Sequence, residues 1–265
     1  MAGLIDAHLH LWDPDVLDYP WLTGPLDRAF RPADLDTGGL ELAGAVFVEA
    51  GVRADQSLAE VSWVESLAQD WPVLAAIVAQ APLDQGQAAA PLLRELAGRP
   101  LVRGVRHNVQ GAPAGRVLCS EHVTGVRLLA DLGLTADLSI DGVQLPEVTE
   151  LVRLVPEVTF VLDHVGKPSA QWQPWADDLA RLAAHPNVTV KLSGLATTAG
   201  ADLERIRAQL SHAVATFGVD RCLAGSDWPI SSSTIDYRVW MAEVSTAAGG
   251  LDHLSDTARR VYRLP

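Results

Sequence analysis

The stretch LIDAHLHLWD, residues 4–13, places two histidines, His8 and His10, at the end of a short apolar strand. Side chains at i and i+2 of a strand point to the same face, so both imidazoles face one way. An open doubly wound sheet would commonly follow its first strand with a glycine-rich turn that takes a nucleotide phosphate. Here histidines stand in that place. A first strand that ends in polar, ligand-type side chains is what a barrel uses at its catalytic face.

Working outward, the same unit recurs. Short segments rich in β-branched residues predict eight strands, over 4–8, 44–49, 73–78, 102–107, 135–139, 159–163, 188–192 and 221–225. Between them, apolar positions at helical spacing predict helices over 57–70, 88–97, 122–132, 146–155, 175–184, 202–217 and 235–247, and 256–262 closes the chain. Pro146 suits a first helical turn, while Gly133 and Gly218 suit helix ends. Eight strand–helix units in 265 residues predict an α/β fold, a (β/α)8 barrel, as one domain over 1–265. Residues 12–40 have little periodicity and much Pro, Asp and Gly, and are expected to form a long loop over the active face.

Composition excludes several function classes. A formal net charge of -13 repels phosphate backbones and anionic lipid, so neither nucleic acid nor a membrane is expected as a partner. Two cysteines, Cys119 and Cys222, stand far apart and outside any CxxC pair, which suits a reducing compartment. With no signal-peptide pattern at the start, a cytoplasmic protein is expected. No glycine-rich phosphate cradle and no GxSxG elbow occurs. Monomer and homo-oligomer suit the helix surfaces equally.

In a barrel the C-terminal ends of the strands share one face. They carry His8 and His10, Glu49, Arg106 and His107, Asp163 and His164 followed by Lys167, Lys191 and Ser193, and Asp227 followed by Trp228. An HxH pair alone is common in surface strands. With His164 and Asp227 at other strand ends it suits one divalent metal, zinc above all, or a set of donors for an oxyanion. Asp227 is the candidate general base, its structural alternative being a turn cap before Trp228-Pro229. Glu49, Arg106, His107 and Lys167 are candidate substrate-binding residues, and only one of the adjacent Arg106 and His107 is expected in the pocket. Asp163 is expected to face away from His164, as a structural partner. Trp12 and Trp228, with Trp21, are candidates to cover a substrate ring.

The motifs DAHLHLWD, VFVEAG, LVRGVRHN, VLDHVGKP, VKLSGL and AGSDWP, in this order along nearly the whole chain, resemble the amidohydrolase-related family that includes sugar-acid lactonases of the L-fuconolactonase and L-rhamnonolactonase types. The resemblance implies a distorted (β/α)8 barrel and hydrolysis of a lactone, with amide hydrolysis or decarboxylation in other branches of the family. It implies that His8, His10, His164 and Asp227 form the catalytic and metal-binding set. The fifth strand, TADLSID, lacks the histidine of binuclear members, and the fourth ends in Arg106-His107 where those carry a bridging Lys or Glu. At most one divalent metal is therefore expected. The resulting expectation is an enzyme that hydrolyses a sugar-acid lactone with water activated by Asp227. The alternatives are a metal-dependent amidohydrolase or decarboxylase, or a non-catalytic barrel that binds a small molecule.

Overall fold

The computed structural model describes residues 3–168 and 171–265. Eight parallel strands pair in chain order: β1 Leu4–Leu9, β2 Leu42–Val48, β3 Leu74–Gln80, β4 Val102–Arg106, β5 Thr135–Leu138, β6 Phe160–Leu162, β7 Val188–Leu192 and β8 Cys222–Ala224. Last meets first through a single parallel bridge, Leu9 to Trp228. The His10 amide donates to the Trp228 carbonyl at 2.7 Å, and the Asp227 amide to the His8 carbonyl at 2.8 Å. The barrel is nearly closed, and the closing bonds come from the residues that carry the polar groups.

The helices among the described residues are α1 Ser57–Leu67, α2 Ala90–Ala97, α3 Ser120–Leu132, α4 Leu145–Leu154, α5 Trp172–Ala183, α6 Ala196–Ala199, α7 Leu203–Phe217, α8 Tyr237–Ala248 and α9 Asp252–Tyr262. All eight predicted helices occur, displaced by a few residues at their ends; the one-turn α6 has too few residues to show a period. Caps set several boundaries. Asp202 accepts from the Arg205 amide before α7, and Asp236 from the Arg238 and Val239 amides before α8. None of these helices is long and apolar enough to cross a membrane.

Two apolar layers follow from strand alternation. Phe47, Ile77, Val105, Phe160 and Val190 pack outward against the helices. Ile5, Ala7, Val46, Val48, Ala76, Val78, Val161 and Leu223 fill the barrel interior, with Ala258, Val261 and Tyr262 of α9 below them. Ile5 and Ala7 point inward, so plain alternation would send His8 outward. The register between β1 and β2 slips between Asp6 and Leu9, and His8 and His10 join the interior while Leu9 packs outward. The Asp6 carboxylate holds this irregularity: it accepts from the His8 amide at 3.1 Å, the Ser226 amide at 2.9 Å and the Tyr237 hydroxyl at 3.0 Å. Bulges that re-aim a side chain are typical beside active sites.

The segment 12–40 folds over the barrel mouth with two 3-10 turns and a Trp12–Phe30 bridge. Its indoles and Phe30 form a packed aromatic row, Trp21 against Trp12, Trp12 against Phe30 and Phe30 against Trp228, with ring centroids 4.9 to 5.7 Å apart.

Candidate active site

At the C-terminal ends of the strands lies a cavity of about 520 Å³, a volume suited to a small organic ligand. His10, Glu49, Arg106, His107, His164, Lys167 and Asp227 line it. His8 lies just beneath, fully buried. Both Arg106 and His107 enter, because the strand ends at Arg106 and alternation no longer governs His107.

Three imidazoles and one carboxylate converge. His8 Nε2 is 3.2 Å from His10 Nε2, and Asp227 Oδ1 is 3.4 Å from His10 Nε2, 3.8 Å from His8 Nε2 and 3.9 Å from His164 Nε2. The outer nitrogens of His10 and His164 are hydrogen-bonded, and that of His8 faces a carboxylate. His10 Nδ1 donates to the Val48 carbonyl at 2.8 Å, His164 Nδ1 pairs with Ser193 Oγ at 2.9 Å, and His8 Nδ1 stands 3.3 Å from Asp163 Oδ1. The second oxygen of Asp227 accepts from Ser231 Oγ at 2.8 Å.

These anchors decide what the cluster can hold. Burial, opposed by Asp163, keeps the His8 pKa well below the usual histidine value, so His8 is neutral with its proton toward Asp163. His10 gives its Nδ1 proton to a carbonyl. Two Nε2 lone pairs then meet at 3.2 Å with no proton between them, an arrangement that a cation relieves. A tetrahedral zinc with nitrogen and oxygen ligands at about 2.0–2.1 Å would set its donors roughly 3.3 Å apart. The observed spacings of 3.2 to 3.9 Å lie near that value. The His8–His10–Asp227 group, and His8–Asp163–His164 beside it, can bind a divalent metal such as zinc. Carboxylate, carbonyl and hydroxyl partners on the outer nitrogens are the usual support of such ligands.

Two left-handed backbone segments position these groups. After β6, His164, Val165, Gly166 and Lys167 all have positive φ, between 44° and 68°. Asp227, after β8, has φ 57°. A β-branched residue is rare in this region, and each non-glycine residue there costs about 1–2 kcal/mol. The turn is held by Trp175, whose indole N–H donates to the Val165 carbonyl at 3.0 Å. It has the left-handed Gly194 as a neighbour, where a Cβ would lie 2.2 Å from His164 Nδ1.

The same turn overturns the expectation for Asp163. The strand stops at Leu162, so Asp163 and His164 do not face opposite ways. Asp163 Oδ1 lies 3.0 Å from Lys191 Nζ as well as beside His8, and Asp163 Oδ2 accepts from Arg106 at 3.1 Å. Burial alone would raise its pKa, but Lys191, His8 and Arg106 hold it well below the usual carboxylate range. Lys191 also pairs with Asp137 at 2.6 Å, and Asp137 accepts from Tyr262 at 2.6 Å and Thr135 at 2.8 Å. Sequence reasoning missed the roles of Asp6, Asp137 and Tyr262 in this scaffold. The apolar setting of Lys191 was the available signal that a buried anion had to exist.

Arg106 offers less to a ligand than its five N–H groups suggest. Its Nε donates to Glu49 Oε1 at 2.6 Å, one terminal nitrogen to the Glu49 carbonyl at 2.7 Å and the other to Asp163. Glu49 also accepts from the Gly51 amide at 2.7 Å. Together Arg106 and Glu49 form a rigid, charge-compensated wall. Lys167 Nζ donates to Gln110 Oε1 at 3.0 Å, and burial lowers its pKa. Burial opposed by Asp227 lowers His164 to about 4. Asp227, which burial would raise, is instead held far below the usual carboxylate range by His164, His10 and His8.

Trp12 and Trp228 do not reach the cavity. Trp12 is fully buried and donates to the Leu26 and Arg28 carbonyls, and Trp228 packs on Phe30. They form the back of the aromatic row, and its front member, Trp21, lines the cavity with its indole N–H on the Ala50 carbonyl at 2.6 Å. Pattern alone could not rank the three, because burial of a loop tryptophan depends on what the loop folds against.

Comparison with known proteins agrees with this arrangement. A family model described as amidohydrolase matches residues 5–264. A protein of Burkholderia multivorans named L-fucono-1,5-lactonase is 32% identical, over 98% of this chain and 96% of its own. A Burkholderia ambifaria protein of the same name is also 32% identical, over 91% of this chain and 87% of its own. A crystal structure of a Burkholderia multivorans amidohydrolase with bound zinc superposes with a TM-score of 0.85 at 30% identity, covering all of both chains.

Proposed function

Because the chain belongs to the amidohydrolase family, we propose that this site hydrolyses a sugar-acid lactone, opening the cyclic ester to the free hydroxy acid. The observation that carries the reading is the convergence of three imidazole Nε2 atoms and Asp227 Oδ1 at one side of a cavity whose other walls offer polar groups: Arg106, compensated by Glu49 and Asp163, and Lys167, bonded to Gln110. That suits a ligand rich in polar oxygens. The chain acts as one domain over 1–265, and its two free cysteines fit a cytoplasmic setting.

In this reading His8, His10, His164 and Asp227 hold one divalent cation. When bound, zinc supplies Lewis-acid chemistry, polarising the carbonyl and making the attacking water more acidic. Asp227 takes the proton as the water oxygen adds to the carbonyl carbon. Its low pKa makes it a weak base, so it suits an acidified water rather than a bulk one. The tetrahedral intermediate collapses by breaking the ring C–O bond, and the proton passes to the departing ring oxygen. Ser231 keeps the Asp227 carboxylate oriented, and Ser193 keeps His164 aimed. Arg106 and Glu49 present a fixed polar edge to the sugar ring, Lys167 and His107 contact its oxygens, and Trp21 takes the covering role expected of Trp12 or Trp228.

The test is proton release in weak buffer near neutral pH across a panel of aldonolactones, simple lactones and the matching lactams, with and without zinc. Turnover confined to a few sugar lactones is expected. Turnover of lactams alone would replace this reading with amide hydrolysis.

A further inference from the structure

Opening a cyclic ester moves two protons. A base takes one from water, and the ring oxygen needs one as it leaves, because an alkoxide is a poor leaving group. Asp227 answers the first need, and the cavity wall limits what can answer the second. Arg106 spends its donors on Glu49 and Asp163, and a guanidinium does not give up a proton near neutral pH. His10 commits its Nδ1 proton to the Val48 carbonyl. Burial lowers the pKa of both His107 and His164, so each is neutral at pH 7 and a poor acid. Lys167 remains as a cation on the cavity wall with a proton to give.

Its position is fixed at both ends. The Lys167 amide donates to the His164 carbonyl at 2.9 Å, and the Lys167 carbonyl accepts from the Gly142 amide at 3.1 Å. From the turn after β6 the stem reaches the loop after β4, where Nζ donates to Gln110 Oε1 at 3.0 Å. The Gln110 amide in turn donates to Asn108 Oδ1 at 3.0 Å. The amide oxygen of Gln110 holds the ammonium without neutralising it, and among the described residues Lys167 is in no ion pair. An ammonium has three N–H groups, so two are left for a ligand. Lys167 is half-buried and lines the cavity, within a ligand's reach. Burial lowers its pKa and Arg106 adds to the fall, while Asp227 and Asp141, with Asp163 behind them, oppose it. An ammonium brought down in this way is a better acid at neutral pH. The effect of Asp227 on it places base and ammonium within one site.

We propose that Lys167 is the general acid of the reaction, giving a proton from Nζ to the ring oxygen as the ester C–O bond breaks; the proposal rests on the lactonase reading above. When the tetrahedral intermediate collapses, the carbonyl re-forms and the electron pair of the C–O bond goes to the ring oxygen. That oxygen takes the Nζ proton and becomes the free hydroxyl of the product, leaving Lys167 a neutral amine. The proton that Asp227 took from water then restores the ammonium through solvent, so base and acid both return to their starting state.

The test takes the sugar lactone that the wild type hydrolyses fastest and the matching thiolactone, with sulfur in place of the ring oxygen. A thiol of pKa about 8.5 leaves as the thiolate and needs no acid. kcat and KM are measured for the wild type, Lys167→Met and Lys167→Arg, the last keeping the charge without a proton to transfer. On the lactone, both variants are expected to lose about 10²-fold in kcat. On the thiolactone, the loss should shrink below about tenfold. An equal loss on both substrates, no loss on either, or an arginine variant within about threefold of wild type on the lactone would overturn the proposal and leave Lys167 a binding charge. If the wild type does not turn over the thiolactone, the arginine variant on the lactone decides. No wild-type turnover of any lactone would instead remove the lactonase reading, and the general acid with it. Circular dichroism separates these outcomes from misfolding, and a misfolded Lys167→Met leaves Lys167→Arg to decide.

Discussion

Asp163 stands where three demands meet. It lies under His8, between Lys191 and Arg106, with no exposure to solvent. A lone buried carboxylate would take a proton, and two cations keep this one ionised. An ionised Asp163 draws the His8 proton to Nδ1 and leaves Nε2 free for a metal. At this scale the sequence was informative about chemistry and weak about direction. His8, His10, His164 and Asp227 could be picked out because ligand-type residues at four strand ends have few structural explanations. Asp163 is the structural partner expected, but its direction, and the reach of Trp12 and Trp228, were misjudged, because these depend on a turn and on a loop whose paths carry no period.

At the scale of elements, the left-handed turn after β6 does the positioning. It brings Asp163, His164 and Lys167 to one side within five residues, at the cost of strain in Val165. The Trp175 indole on the Val165 carbonyl is its visible restraint from α5. Trp175→Phe keeps most of the buried volume and removes that donor, leaving a buried carbonyl unpaired at about 1–3 kcal/mol. We expect a lower Tm together with a kcat several-fold below wild type, measured by thermal denaturation and steady-state kinetics on the same preparation. A lower Tm with unchanged kcat would show that the turn keeps its shape without the tryptophan. The eight strands were legible because β-branched runs alternate with helical spacing over the whole chain. The turn itself was not: HVGK contains one glycine, and nothing in it announces four successive residues in the left-handed region.

For the whole molecule, the barrel works as a vessel with charges stacked along its axis. Tyr262 of α9 reaches Asp137, Asp137 pairs with Lys191, Lys191 with Asp163, and Asp163 borders His8. The lower end is a packed plug and the upper end the cavity. The histidines at the top couple global stability to pH. Burial lowers His164 to about 4 and holds His8 well below its unfolded value near 6.5, so these two histidines bind more protons in the unfolded chain across that interval. Stability of the metal-free protein is therefore full above pH 6.5 and declines as pH falls toward 4. His164 alone accounts for roughly 3 kcal/mol of that decline. Denaturant melts at stepped pH should show the positive slope, and His164→Gln should flatten part of it. A stability independent of pH between 4 and 6.5 would contradict the burial argument. The closed architecture was legible from eight repeats of one unit. The change of alternation phase in β1, which turns His8 inward, was not, because it depends on Asp6 meeting Ser226 and Tyr237 from the other end of the chain.

The most direct test of the account compares kcat of the zinc-loaded wild type and Asp227→Asn on the best sugar lactone, with zinc content and circular dichroism recorded for both. Loss of a general base costs about 10²- to 10⁴-fold, and we predict a fall in that range with the fold intact. A folded, zinc-loaded Asp227→Asn that hydrolyses the lactone at close to the wild-type rate would contradict it.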